Sequence, residues 1–431
     1  MARKMKDSGI EWIGEIPEGW EVHRIKNHFL IISGSGFKPE LQGQSTGDFP
    51  VCKASDISSS GHYLHTSANY ITTNFVKSQR FSIIPKGSIL FAKIGEAMRK
   101  NNRSLCLCDC CVDNNCQGLV PKKISSEFSY YLFTCIDMTW FDNAGTIPCI
   151  NNQKLYDCRF PFPSHDEQLL IANALNLQCT KINEILSHIR SSIEEYKKLK
   201  QAVITQAVTK GVRGKREMKD SGNPWFGQIP ADWKLTRVGL HFSIILGKML
   251  CNAPLNDTYT LEPYYCAADV HFDGVADGER KKMWFSPIEK NLYRVSVGDL
   301  LVVEGGAGAG GSAIVENQDS DTYIQNSIMI VRSKGNADNR YLRYLLEFLV
   351  KQGYIDVVCN KATIPHFTKD KLSCVPFCLC PTGEQKEIAD YLDAKCAEID
   401  RLIAKKEQLV KELEGYKKSL IYEVVTGKRE V

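Results

Sequence analysis

The chain has 431 residues, 43% of them hydrophobic and 24% charged, with a formal net charge of +4. That length implies two to four domains rather than one, and so small a charge excludes a globally basic nucleic-acid binder, so any such surface must be local. No run approaches eighteen apolar residues and the charged start Met1–Asp7 lacks an apolar core, so neither a membrane span nor a signal peptide is expected and a cytoplasmic protein is.

In chain order, the first feature is Met5-Lys6-Asp7-Ser8-Gly9, which returns as Met218-Lys219-Asp220-Ser221-Gly222. The match continues at Trp12/Trp225, Gly14/Gly227, Ile16/Ile229, Pro17/Pro230, Trp20/Trp233, Arg24/Arg237, His28/His241 and Phe29/Phe242, giving 13 identities over 25 positions. Such self-similarity marks a duplicated unit. Residues 30–145 and 243–362 share little beyond a strand-like pattern, so a repeated scaffold carries two diverged surfaces. Short apolar runs predict strands at Ser88–Phe91, Asp299–Val303 and Ser327–Val331, and apolar spacing predicts a helix over Arg340–Val350. Thr146-Ile147-Pro148 returns as Thr363-Ile364-Pro365, and Glu167-Gln168 as Glu384-Gln385.

After each variable segment the pattern changes. From Asp166 to Thr209 there is neither Pro nor Gly, and Ile171, Leu175, Ile182, Ile189, Tyr196 and Val203 form a stripe that Ile185, Leu186, Ile193 and Leu199 widen. The second copy offers Ile388, Leu392, Ile399, Leu402, Leu409, Leu413, Tyr416 and Leu420. Two helices of about 40 residues are predicted, each opened by a capping box, Ser164 with Glu167 and Thr382 with Gln385. Their stripes are expected to bury against each other as a left-handed coiled coil, the alternative being that each packs on its own globular domain. Lys406 falls on the second stripe and should leave the seam locally polar. Gly214-Lys215-Arg216-Glu217 recurs at the chain's end as Gly427-Lys428-Arg429-Glu430, so the unit is cyclic in sequence.

Seventeen cysteines include Cys106, Cys108, Cys110, Cys111, Cys116 and, later, Cys374, Cys378 and Cys380. A zinc ribbon needs a second Cys-x-x-Cys, which is missing, so the expectation is free thiols acting as small apolar residues, with no metal. Gly306–Gly311 satisfies G-x-G-x-x-G, yet a strand rather than a helix is predicted to follow, so it reads as a flexible hairpin. Asn223-Pro224-Trp225-Phe226 lacks its Asn and Pro in the first copy and reads as a surface turn. No P-loop, His-Glu-x-x-His or nuclease carboxylate set is found; no catalytic residue is expected. Because Trp12, Trp20, Trp225 and Trp233 have the same context in both copies, packing or partner docking is expected of them rather than base stacking.

The openings SGIEWIGEIPEGW and SGNPWFGQIPADW, the GTIP and ATIP turns, the two Glu-Gln helix starts and the AVTKG and VVTGK helix ends together resemble the specificity subunit of type I restriction–modification systems. The resemblance covers the whole chain. It implies an α+β architecture of two mixed α/β target recognition domains, 1–163 and 211–380 (with linker 211–217), joined by two long antiparallel helices, 164–210 and 381–431, forming a coiled coil. It implies that each recognition domain reads half of a bipartite double-stranded DNA target, that the helices set the spacing, and that the chain is non-catalytic. It also implies docking of two methyltransferase subunits and two restriction subunits, with S-adenosylmethionine, ATP and magnesium used by those partners and no cofactor on this chain.

Within the readers, Lys93, Arg99, Lys100, Asn101, Asn102 and Arg103 form a basic, amide-rich stretch after a strand, suited to guanine O6/N7 and adenine N6/N7 edges, or else a solvated hairpin tip. Ser35 and Lys38, with Lys248 at the equivalent place, resemble the family's first DNA-facing loop. Thr146, and Lys361, Thr363 and His366 beside the second turn, complete the candidate DNA-binding set. Leu175, Ile182, Ile189, Leu392, Ile399 and Leu413, with the four tryptophans, are the candidate scaffold and partner residues.

Overall fold

The computed structural model describes residues 3–143, 145–317, 321–359 and 365–431. The chain divides into two compact units, one of Met1–Arg190 with Gln408–Val431 and one of Ser191–Glu407. Each contains one copy of the scaffold and one reader.

In the first unit the scaffold repeat folds as an antiparallel hairpin, Met5–Asp7 on Glu15–Pro17, followed by Glu21–Arg24 paired with Arg159–Phe162. The reader is a five-stranded sheet in the order Phe29–Ser33, Cys116–Pro121, Ile89–Ala92, Arg103–Cys106, Tyr63–Leu64, beside a three-stranded sheet of Cys111–Val112, Phe49–Cys52 and Tyr70–Ile71. The second unit repeats this plan: hairpin Met218–Asp220 on Gln228–Pro230, scaffold pair Lys234–Arg237 and Pro376–Leu379, and a four-stranded sheet of Phe242–Leu246, Ile328–Ser333, Leu300–Val303 and Ser312–Ile314. Its three-stranded sheet is Lys282–Phe285, Thr260–Tyr265 and Tyr323–Ile324. The central strands Ile89–Ala92 and Leu300–Val303 are buried along their whole length. That is why they read as unbroken apolar runs rather than as an alternation.

The predicted helix near Arg340–Val350 is present as Asn339–Lys351. The two long helices run His165–Lys210 and Thr382–Val425, 46 and 44 residues, or roughly 69 and 66 Å at 1.5 Å per residue. They pair antiparallel in each unit. In the first, Arg190 meets Glu414 and Lys417 donates to Asn183 at 2.7 Å. In the second, Lys200 bonds Asp400, Arg213 forks onto Glu387 at 2.8 and 2.9 Å, and the Lys406 ammonium sits over the Tyr196 ring. The polar break expected at Lys406 is thus a cation–π contact.

Both readings of the apolar stripes hold, on different stretches. Ile171, Leu175 and Ile182 lie in the first unit's core with Trp20 and Phe160, and the end of the second helix (Leu420, Ile421, Val424, Val425) closes that same core. Ile388, Leu392 and Cys396 lie in the second unit's core with Trp233 and Phe377, closed by Ile204, Ala207 and Val208 from the end of the first helix. Each core therefore takes the start of its own helix and the end of the other, which is the physical content of the cyclic sequence. Ile189 and Ile399 are buried and Leu413 partly so. Ile185, Leu199, Leu409 and Tyr416, expected in the stripe, are 42–48% exposed. An α-helix drifts about 20° per heptad from a strict seven-residue repeat, which carries these side chains off the seam.

The first capping box is only half formed and the second does not form. Ser164 Oγ accepts from Glu167 N at 3.3 Å, but the Glu167 carboxylate is engaged elsewhere; Thr382 donates to Asn336 O instead of capping. The second helix leaves its core through Gly427, at φ +74°, where an added Cβ would overlap the Pro17 ring. Gly427→Ala is expected to destabilise the first unit by about 2–4 kcal/mol, from overpacking plus the left-handed backbone, as measured by urea unfolding; an unchanged midpoint would show that the helix end does not dock there.

Candidate nucleic-acid interface

Each reader is held by one Glu-Gln pair. Glu167 accepts from the Trp20 indole at 3.0 Å and pairs with Arg3 at 2.6 Å, while Arg3 also lies over the Trp20 ring. Glu384, fully buried, accepts from Trp233 at 3.4 Å and pairs with Arg216, which lies over the Trp233 ring. The neighbouring amides do a second job. Gln168 accepts from Ser125 N and donates to Pro163 O; Gln385 accepts from Asp338 N and donates to Cys380 O. Ser125 and Asp338 are themselves the N-caps of the reader helices Ser126–Thr134 and Asn339–Lys351. The Glu-Gln dipeptide thus pins a scaffold tryptophan and a reader helix to the start of each long helix. Trp20 and Trp233 are interior anchors, at 1% and 0% exposure. Trp12 and Trp225 are half-buried, against Trp140 and Phe160 and against Tyr354 respectively.

The antiparallel order of the central strands brings Ser33, Ala92 and Cys116 to one end of the first sheet, while Phe29 and Pro121 run back into the scaffold. Leu246, Val303 and Ile328 form the matching end of the second. These far ends are rims built on one backbone lattice. Ser35 N donates to Val112 O, as Lys248 N does to Ile324 O. Lys93 N donates to Asn115 O, as Glu304 N does to Ser327 O. Gly95 N donates to Pro148 O, as Gly306 N does to Pro365 O. Pro148 and Pro365, the last residues of the repeated Thr-Ile-Pro motif, are thereby tied to the loop after the central strand in their own units. Gly34 and Gly247 are required at the crossing, since a Cβ there would run into the Asp113 or Gln325 carbonyl.

Most of the candidate residues fall on these rims. Lys38, Arg99, Lys100 and Thr146 are exposed, with Arg99 paired to Glu96 at 2.7 Å; Ser35 and Lys93 are half-exposed. His366 is exposed and its Nδ1 lies 3.3 Å from Glu304. Lys361 and Thr363 lie outside the described residues.

Two candidates, Arg103 and Lys248, are buried, and a third, Asn101, is half-buried. Arg103 is 6% exposed and donates to Ile136 O and Asn101 Oδ1; burial pushes its guanidinium down to about 10. It begins a sheet strand instead of extending a loop. Asn101, at φ +61°, also accepts from Met138 N, so its amide fastens a turn. Lys248 is 9% exposed, donates to Trp284 O and Glu289, and lies over the Tyr259 and Phe285 rings. Neither Arg103 nor Lys248 presents its charge to a ligand. Arg103→Ala is expected to cost about 2–4 kcal/mol of stability by orphaning buried partners, read by urea unfolding, while the folded protein's sequence preference stays unchanged.

The glycine run Gly306–Gly311 is a turn between the antiparallel strands Leu300–Val303 and Ser312–Ile314, with no helix after it. In its place the first reader has the short helix Gly95–Arg99. One rim element escaped the sequence reading: the polar turns Asp113-Asn114-Asn115-Cys116 and Gln325-Asn326-Ser327-Ile328, whose register is visible at an offset of 212 once the flanking strands are known. Among the described residues no group of three or more His, Cys, Asp or Glu could hold a metal. Cys106, Cys110 and Cys116 pack with Cys52 in an apolar cluster, and no helix of the described residues is long and apolar enough to cross a membrane.

Two equivalent mounts thus carry two rims with different side chains. The family model for the type I restriction modification DNA specificity domain matches residues 17–195 and 258–412, and the chain belongs to that family. It is 27% identical over 441 residues to the putative type I restriction enzyme MjaX specificity subunit of Methanocaldococcus jannaschii, covering 96% of this chain and 95% of that protein. With the MjaIX specificity subunit of the same organism it shares 25% identity over 257 residues, 57% of this chain and 56% of that protein. In fold it is similar to a chain from a solved structure described as the structural basis underlying complex assembly and conformational transition of the type I R-M system, with TM-score 0.70 at 17% identity, covering 96% of this chain and 99% of that one. The chain is a DNA-recognition subunit, not a catalytic one.

Proposed function

We propose that each unit reads one half of a bipartite, asymmetric site on double-stranded DNA, and that the helix pair sets the gap between the halves. The observation that carries this is the pair of rims: the same backbone lattice on the same mount, dressed with different side chains. Lys38, Arg99 and Lys100 in the first reader can meet phosphates or guanine edges. The second reader offers a side-chain-poor glycine turn and His366 instead. Such a difference is what two unlike half-sites require. The duplicated scaffold offers two equivalent docking places, suited to two methyltransferase subunits and, through them, two restriction subunits. S-adenosylmethionine, ATP and magnesium would be bound by those partners in the cytoplasm, none by this chain.

The test is reconstitution with the methyltransferase subunits and mapping of modified bases on genomic DNA. A motif of two unlike half-sites at a fixed gap is the expected result. Modification without sequence preference, or modification by this chain alone, would overturn it.

A further inference from the structure

In the polar turns of the two rims one side-chain type coincides, exposed in the first and half-buried in the second. Asn114 and Asn326 occupy the same position in turns closed by matching bonds, Cys116 N to Asp113 O at 3.1 Å and Ile328 N to Gln325 O at 2.9 Å. The strands on either side fix the register: Gly34 N donates to Cys116 O as Gly247 N does to Ile328 O, and Asp113 N to Cys52 O as Gln325 N does to Tyr265 O. Around these turns the readers have diverged. Ser35 corresponds to Lys248, Lys93 to Glu304, and Asn115 to Ser327. Residues kept between diverged copies either hold the fold or meet the same ligand chemistry.

The fold accounts for the turn but not for the whole side chain. Asn is favoured in turns, yet Asn114 is exposed and, among the described residues, its amide has no hydrogen-bond partner. The fastening is done by its neighbours: Asp113 accepts from Asn115 N at 3.1 Å, and Gln325 accepts from Ser327 N at 3.2 Å. Asn326 is half-buried and accepts through Oδ1 from Gln325, while its Nδ2 makes no bond among the described residues. A carboxamide at the end of a reader has the donor–acceptor pair that matches adenine N7 and N6 in the major groove.

Resting on the reading of each unit as a DNA reader, we infer that Asn114 and Asn326 are equivalent specificity residues, each reading an adenine edge in its own half-site. The two unlike half-sites then share one recognised base, read from an equivalent turn in each reader.

The experiment is base-modification mapping with the reconstituted complex carrying Asn114→Asp or Asn326→Asp. Aspartate keeps the shape and turn preference but can only accept, which favours cytosine N4 over adenine. Asn114→Asp is expected to reduce modification at sites with the wild-type first half-site by roughly 5- to 150-fold, to change preference at one position of that half-site, and to leave the second half-site intact. Asn326→Asp should do the converse. Thermal unfolding of each variant is compared with wild type; if either is unstable, Asn→Ser at the same position, also a good turn former, replaces it and should relax the same single position. Wild-type motifs from stable variants would overturn the inference, as would a loss spread evenly over all positions. Absence of any bipartite motif from the wild-type complex would instead overturn the underlying reading, and this inference with it.

Discussion

Replacing Arg216 by methionine is expected to cost the second unit about 3–5 kcal/mol, the effect of removing one partner from a buried pair. Glu384 has no exposed side-chain surface, and Arg216 is only 17% exposed. Without the guanidinium, the carboxylate keeps the Trp233 indole and the more distant Arg213, at 3.9 Å, as its polar company. The double replacement Arg216→Met with Glu384→Met should recover most of the loss, because apolar side chains of similar volume often replace a buried pair at little cost. The first unit provides the contrast. Arg3 and Glu167 are 31% and 26% exposed, so solvent screens the pair and Arg3→Met should cost no more than about 1 kcal/mol. Urea unfolding of the three variants and the wild type, followed by tryptophan fluorescence at Trp20 and Trp233, reads the difference. Equal losses from Arg216→Met and Arg3→Met would show that burial of the carboxylate does not govern the strength of the mount.

This pair of mounts illustrates what the residues disclosed before any coordinates. The repeat, the long helices, the central strands and the helix at Asn339–Lys351 were legible, because local pattern and burial agree there; the second long helix, expected over 381–431, ends at Val425. The role of Glu-Gln was not. Read locally, Ser164-x-x-Glu167 is a capping box, and only the fold brings Trp20 within 3.0 Å of the carboxylate, 147 residues away in sequence. Arg103 and Lys248 failed for a related reason. A cation in a polar stretch reads as solvent-facing, but Arg103 opens a strand against Ile136 and Lys248 is enclosed by Glu289, Tyr259 and Phe285, contacts that no local pattern encodes. The candidates that did reach the rim, Lys38, Arg99, Lys100, Thr146 and His366, lie where strands end and no further ladder can claim them. The polar turns at Asn114 and Asn326 stayed hidden because one matching residue in four carries no weight until the surrounding strands supply the register.

The helix pair yields the second large effect. Removing seven residues from each helix at antiparallel-matched positions, 191–197 from the first and 405–411 from the second, keeps the heptad phase on both sides. The pairings Arg190–Glu414 and Lys200–Asp400 flank these segments, and the excised stretch includes the sparsely buried contact of Tyr196 with Lys406. The buried residues of both reader cores lie outside it, Ile171–Leu186 with Leu420–Val425 and Ile204–Val208 with Ile388–Cys396, although Val410, partly buried against the first core, is removed. About 10 Å of helix is lost. If the helices set the gap, the modified motif should keep both half-sites and shorten its gap by on the order of two to three base pairs, at 3.4 Å per step. Deleting the seven residues from one helix alone should be worse than deleting them from both. It shifts every seam contact beyond the cut by a heptad against its partner, pulling Lys200 away from Asp400. Modification mapping gives the gap directly, and the stability of the single and double deletions gives the seam's register. A full-length gap in a folded double deletion would remove the helices from the role of spacer, and altered half-sites would mean that the helix pair also shapes the readers.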